Sequence, residues 1–375
     1  MSDAFRILPS IGLMVAVNHE INHFLTLKEY IMKKSFFSKS RCTGKLFMVV
    51  LLITGLIIVA PVNAKAKELK LVIASYLTPG YKDLFPPLKG FVDSVNKRGK
   101  GVVQLDFFHS GTLLKAKELM SGLQAGTADI IFHTDSYITG TYPILGMVQL
   151  PLVFKNAEER FEKIKFGTPI SNYLTKKLDE KGLCMMGYAV PPMEYVWTTK
   201  KAVRSPSDLK GKRLRVSGKV ESKTMVNLGV APVRMPSAEA YMALKRGIVE
   251  GMMSYPGTIA ARKLDGIIKY CTKASFGSYG VLLMTTSKRW GSWPENVRRI
   301  LTEEAIRFEA DFYKTVTGYS DYLFKESFKT IEIIELTEKE NEAFKQSLTE
   351  TYDWWVDLVG KEVGQEALRI VRGQQ

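Results

Sequence analysis

From Leu69 onward the chain alternates strand-like and helix-like segments, halts at Pro191-Pro192, and then begins to alternate again. That two-run pattern constrains the fold more than any other feature of the 375 residues. The first run reads LKLVIASY (69–76), a helical stretch with apolar positions at Leu88, Phe91, Val92 and Val95, and VVQLDFF (102–108). It continues with LKAKELMSGLQAG ending on Gly126, ADIIFHT, two helices, and LCMMGYA. The second run reads YVWTT, RLRV, a helix, APVRM, another helix, YCTKASF and YGVLLMT. Apolar runs short enough for strands, separated by helices, predict parallel sheets with helices on their faces. The proline pair marks a crossover between two lobes. Pro294 opens a helical pattern that extends to about Thr330 with a break or bend near Gly318; at 1.5 Å per residue it reaches roughly 50 Å, enough to lie along both lobes. The expected organisation is a first lobe of residues 65–192 with 280–320, and a second of 193–279 with 321–375.

The N-terminus is of another kind. LFMVVLLITGLIIVA (46–60) carries no charge, follows the basic MKKSFFSKSRCTGK (32–45), and precedes PVNA, with Val62 and Ala64 at small-residue positions. Basic start, short apolar run and small-residue site form a secretory signal cleaved near Ala64. A permanent anchor needs about 20 apolar residues, more than this run offers. Residues 1–31 fit neither signal nor domain, so translation from Met1 and from Met32 both stay open. The N-terminal 64 residues hold seven of the 53 Lys and Arg and three of the 38 Asp and Glu, which leaves a mature balance of +11. The cations are interspersed with acids and form no tail, the pattern of a solvated surface rather than of nucleic-acid recognition.

Candidate catalytic residues are lacking. His109 and His133 are isolated, no cluster has metal-ligand spacing, and no phosphate-binding loop or nucleophile elbow occurs. No cofactor is implied. Cys184 and Cys271 either pair in an oxidising compartment or stay free. In DLKGKRLRVSG (208–218), a strand reading puts Leu214 and Val216 on one face and Arg213 and Arg215 on the other. Arg215 falls near the strand's carboxyl end, where open α/β sheets bind ligands. A guanidinium there pairs with a carboxylate through two charge-assisted bonds.

Several segments, in order, resemble the DctP-type solute-binding proteins of tripartite ATP-independent periplasmic (TRAP) transporters. These are HSGTLLKAKELMSGLQAGTADI, LPLVF (150–154), SPSDLKGKRLRVSG, NLGVAPVRMPSAEAYMALKRGIVEG and IIKYCT. The resemblance implies an α/β fold of two lobes with an interlobe cleft and a long helix spanning both, in the periplasm, with an organic acid and membrane transporter subunits as partners. It also implies that Arg215 holds the ligand carboxylate. Independently of it, Ser237 suits a helix N-cap and Glu239 the positive first turn.

Two departures stand out. Where many members carry a second ligand-binding Arg, this chain has PPMEYVWTT, with Glu194, Tyr195 and Trp197, and no Arg until Arg204. The usual D-G-x-E-N-P becomes EGMMSYP, with Ser254 at the Asn position and Tyr255 beside it. The cleft is therefore expected to lose a cation and gain aromatic surface, favouring an apolar or aromatic monocarboxylate over a C4 dicarboxylate. Arg215, Tyr76, Glu194, Tyr195, Trp197, Ser254 and Tyr255 are the candidate ligand-binding residues. Glu194 is either a partner for a ligand amine or a solvated surface acid. Besides transport, a ligand sensor docking a receptor kinase, a polyanion binder and a secreted enzyme remain as alternatives.

Overall fold

The computed structural model describes residues 67–274 and 276–374. The expected signal and N-terminal extension lie outside them. Eleven strands are described: β1 (Leu69–Ser75), β2 (Val103–Phe108), β3 (Ile130–Thr134), β4 (Leu183–Ala189), β5 (Tyr195–Thr198), β6 (Arg213–Val216), β7 (Ala231–Arg234), β8 (Gly251–Ser254), β9 (Tyr270–Lys273), β10 (Val281–Thr286) and β11 (Glu332–Glu335). They form a five-stranded sheet ordered β2-β1-β3-β10-β4 and a six-stranded sheet ordered β11-β9-β5-β8-β6-β7. β8 (GMMS) and β11 (EIIE) are not among the strands expected from the sequence pattern.

The sheets are mixed rather than parallel. β10 runs antiparallel to β3 and β4, and β5 runs antiparallel to β8 and β9. Both are the first strands after a passage from the other sheet, β4 to β5 through residues 190–194 and β9 to β10 through 274–280. A chain that leaves one sheet at its carboxyl edge and enters the other at the facing carboxyl edge must run against its new neighbours. The two passages touch, with the Glu194 N–H donating to the Gly277 carbonyl at 3.2 Å.

Each sheet organises its own core. Around the first, Ile73, Leu105, Ile131, Met186 and Leu283 are buried with helix residues such as Leu88 and Phe91. In the second, period-two alternation sends Val196 and Met253 to one face and Trp197 and Met252 to the other. The helix Glu295–Tyr322 has 28 residues, about 42 Å at the standard rise. It buries Val297, Leu301, Phe308, Phe312 and Val316 in the first core and brings Tyr319 against the second. It runs unbroken through Gly318; the irregularity comes later, as a π-helical turn at Leu323–Ser327.

The C-terminal segment divides differently from expectation. β11 pairs with β9, and the helix Glu338–Leu348 buries Phe344 and Leu348 in the second lobe. Trp355, Ala367, Leu368 and Val371 of the last two helices join the first lobe's core instead. The reason is a fitted contact: the Trp355 indole N–H donates to the Pro143 carbonyl at 2.8 Å. The ring also lies where any side chain at Gly146 would be, 2.5 Å from a Cβ built there.

Cys184 on β4 and Cys271 on β9 are both free. They belong to different sheets, and burial pushes the Cys184 thiol up to about 12, so neither is a reactive thiol. Among the described residues, no group of His, Cys, Asp and Glu could hold a metal ion, and no helix is long and apolar enough to cross a membrane.

Candidate functional site

The carboxyl edges of the two sheets face each other across a small cavity. The first lobe supplies Tyr76 just beyond β1, Thr134 at the end of β3, Tyr137 in the turn that follows, and Tyr81, Leu84 and Tyr279. The second supplies Arg215 from β6, Ser217, Ser254 at the end of β8, Ser237 and Thr258. The enclosed volume is about 10 Å³, room for no more than a water, so an organic ligand enters only when the walls part.

Arg215 is only 1% exposed. Its Nε donates to the Met235 carbonyl at 2.9 Å, and its Nη atoms reach the Met253 carbonyl at 3.3 Å and the Tyr137 hydroxyl at 3.4 Å. A guanidinium has five N–H groups. Three are thus engaged and hold the fork in place, leaving two for a ligand. The Tyr76 hydroxyl is 2.6 Å from Thr134 Oγ1, and its ring lies 5.7 Å from that of Tyr137. Leu214 and Val216 sit in the core on either side of Arg215, while Arg213 is exposed and donates to the Gly247 carbonyl at 2.9 Å. Two arginines two residues apart in one short strand therefore have unlike surroundings.

The two lobes are stitched together around Ser237. Its Oγ lies 2.8 Å from the Tyr81 hydroxyl, and its main-chain N–H donates to the Tyr137 hydroxyl at 2.9 Å. Ser237 is not the N-cap, a place taken by Pro236; its hydroxyl serves the cleft. Glu239 pairs at 2.8 Å with Lys117 of the first lobe. Gly218 permits the approach, because a Cβ built there would lie 2.3 Å from the Ser136 carbonyl oxygen. Gly218→Ala is expected to hold the walls apart and weaken ligand binding five- to roughly 150-fold, the equivalent of about 1–3 kcal/mol of overpacking. Isothermal titration beside a melting curve checks this: unchanged affinity would show that the contact is not needed in the bound form.

Of the candidates read from the sequence, Arg215, Tyr76 and Ser254 line the cavity. The other four lie elsewhere. Trp197 is 0% exposed, stacked near-parallel on Phe324 with Phe328 at its edge. Its indole N–H donates to the Ser254 carbonyl at 2.8 Å, so it supports the site from behind. Tyr195 is half-buried and lines a separate groove of about 660 Å³ with Phe324 and Lys273. Tyr255 is buried edge-on to Tyr279 with its hydroxyl beside Gly257. Glu194 is no surface acid: it is 0% exposed, and among the described residues neither carboxylate oxygen meets a donor.

A second guanidinium that the sequence reading did not single out stands beside the cavity. Arg262 follows the short helix Pro256–Ala261 and lies over the Tyr81 ring at 5.0 Å. It donates to the Tyr81 hydroxyl at 3.2 Å and to Ser237 Oγ at 3.3 Å. It also faces an adjoining cavity of about 300 Å³ walled by Tyr76, Ser110, Lys117 and Pro236. Arg262, Tyr81, Tyr137 and Tyr279 carried no signal in the sequence, because each reaches the cleft from a loop or turn whose path depends on both lobes.

Residues 77–357 match the family described as bacterial extracellular solute-binding protein, family 7, and the chain belongs to that family. It is 28% identical over 290 residues to the C4-dicarboxylate-binding protein DctB of Bacillus subtilis, a match covering 75% of this chain and 80% of that one. Identity to the C4-dicarboxylate-binding periplasmic protein DctP of Rhodobacter capsulatus is 25% over 281 residues, 72% of this chain and 82% of the relative. Among solved structures, a TRAP periplasmic solute binding protein from Desulfovibrio salexigens with bound orotic acid superposes with a TM-score of 0.75 at 19% identity, covering 82% of this chain and 98% of that one. Another from Shewanella oneidensis with bound succinate gives 0.71 at 20% identity, over 81% and 99%. At that identity the structures speak to the fold, which is the two-lobed α/β fold of these receptors.

Proposed function

We propose that this protein is an exported, non-enzymatic receptor that captures an organic acid between its lobes and delivers it to the membrane subunits of a TRAP transporter. The observation that carries the reading is Arg215, buried at the carboxyl edge of β6 with two N–H groups left over and the hydroxyls of Tyr137, Tyr76 and Ser254 around it. A carboxylate accepts a bidentate pair from such a fork, and its planar geometry fixes the ligand's orientation. The ligands for which these relatives are named or with which they were solved, C4-dicarboxylates, succinate and orotic acid, are acids and support the same chemistry.

Closure gives the transporter something to recognise. The lobes swing about the two passages at 190–194 and 274–280, and a ligand shifts the population toward the closed form only by binding that form more tightly. Bonds from Tyr81 and Tyr137 to Ser237 exist only when the lobes meet.

A thermal-shift screen of small carboxylates tests the capture step. At one hundred times its dissociation constant, a ligand that binds only the native state stabilises it by about 2.7 kcal/mol, visible as a rise in melting temperature. A panel of mono- and dicarboxylates that leaves the melt unmoved would refute the reading. For export, the mature N-terminus is expected at or near Lys65; N-terminal sequencing that finds the apolar run 46–60 retained would point to an anchored protein.

A further inference from the structure

Glu194 occupies a place that the capture of a carboxylate does not by itself explain. It lies on the first passage between the lobes, immediately before β5. Five groups on five different elements share its buried surroundings: Arg215 on β6, Glu221 on the helix Lys219–Asn227, Arg160 on the helix Ala157–Ile164, Asp135 after β3, and Tyr279 on the second passage. The four charged neighbours are all buried. Neither arginine is hydrogen-bonded to Glu194. Arg160 donates to the carbonyls of Pro191 and Tyr279, and Arg215 to Met235, Met253 and Tyr137.

Counted as fully ionised, this cluster holds three carboxylates, Asp135, Glu194 and Glu221, against two guanidiniums. Arg262 bonds Tyr81 and Ser237 rather than any member of this cluster, so within the cluster that surplus of negative charge would weaken the hold of Arg215 on an anion. A buried carboxylate without a donor is also expensive, and such a group ordinarily takes a proton instead. Glu194 is the acid that fits this description. Glu221 accepts the Ser217 N–H at 2.6 Å, and Asp135 accepts the Tyr188 hydroxyl, whereas both oxygens of Glu194 are without a donor among the described residues.

We propose that Glu194 belongs to the anion site as a neutral carboxylic acid, and that Arg215 binds a carboxylate tightly only while Glu194 keeps its proton. The inference rests on the reading of Arg215 as the carboxylate anchor. With Glu194 neutral the cluster balances at two negative and two positive charges, and an incoming carboxylate meets Arg215 without an opposing anion behind it. Burial, followed by the neighbouring Glu221, pushes the Glu194 carboxyl well above the usual carboxylate range, against the pull of Arg215 and Arg160. The sign follows. The neutral acid prevails below that raised value. As pH climbs through it Glu194 ionises and anion affinity falls, by up to roughly tenfold per pH unit for a single coupled proton. On the high-pH side each bound anion then takes up one proton.

The test is calorimetric titration with pyruvate, succinate and benzoate between about pH 6.5 and 9, where all three probes are ionised, in two buffers of different ionisation heat. Wild type is expected to bind its best probe more weakly as pH rises, with proton uptake on binding. Glu194→Gln, a neutral isostere, is expected to bind with pH-independent affinity and no uptake. Glu221→Gln removes the opposing charge beside Glu194 and is expected to move the fall to lower pH. A protonated-carboxyl infrared band present in wild type and missing in Glu194→Gln gives a readout free of any ligand. A wild type that binds an acid with flat pH dependence and shows no protonated-carboxyl band that Glu194→Gln removes, while Arg215→Ala abolishes the binding, would overturn this inference alone. So would affinity that rises with pH, which would set an ionised Glu194 against a cationic group on the ligand. Failure of all three acids to bind wild type would instead bring down the carboxylate reading itself, and this inference with it.

Discussion

Arg215→Ala is expected to lose carboxylate binding by about 2–5 kcal/mol, roughly thirty- to several-thousand-fold in affinity, the usual cost of truncating one partner of a buried charged pair. The substitution removes the only side chain from β6 that reaches the cavity and leaves the Met235 and Met253 carbonyls without their donor. Arg215→Lys is also expected to bind poorly, because an ammonium is a point charge and cannot keep two carbonyls and a planar carboxylate satisfied together. Arg213→Ala serves as the control: its guanidinium is exposed and bonded to the Gly247 carbonyl. Losses at such a surface position ordinarily stay within about 0.5 kcal/mol. Titration of all three variants with one acid, beside melting curves, decides the matter. Equal small losses at Arg213 and Arg215 would mean a diffuse basic patch in place of a single anchor.

Trp197→Ala is expected to destabilise the fold by about 3–5 kcal/mol, the range for removing a buried aromatic and leaving a cavity. Trp197 is packed between Phe324 and Phe328, at ring distances of 6.1 and 5.5 Å, so the truncation empties space that the second lobe's core cannot easily refill. Trp197→Phe should cost less, since it keeps most of the packing and loses only the 2.8 Å bond to the Ser254 carbonyl. Denaturant unfolding measures the loss. Titration of the folded remainder separates the two roles: a collapse of affinity at unchanged stability would return Trp197 to the wall of the binding site, against its placement behind Ser254.

The fate of the candidate residues traces what a linear reading reaches. Arg215 was legible because its neighbours Leu214 and Val216 fix the strand and its register, and strand alternation then settles which face the guanidinium takes. Trp197 obeys the same alternation, yet the strand pattern does not say that its face is covered by Phe324 and Phe328, residues from more than one hundred positions downstream. Glu194 looked like a surface acid because acids usually are. Its burial follows from two interlobe passages lying side by side, joined at Gly277.

By itself the sequence determined the things that local periodicity and short motifs encode: strand and helix identities, the break into two runs, the long helix after Pro294, and the arginine on β6. Tertiary structure alone decided what depends on how the two sheets face each other. The antiparallel strands β5 and β10, the return of the last helices to the first lobe, the second guanidinium at Arg262 and the buried acid at Glu194 are all of this kind. The physical reason is common to them. Hydrophobic pattern and turn chemistry act over a few residues, whereas the cleft is assembled from loops and strand ends whose side chains acquire neighbours, charge and burial only when the opposing lobe is in place.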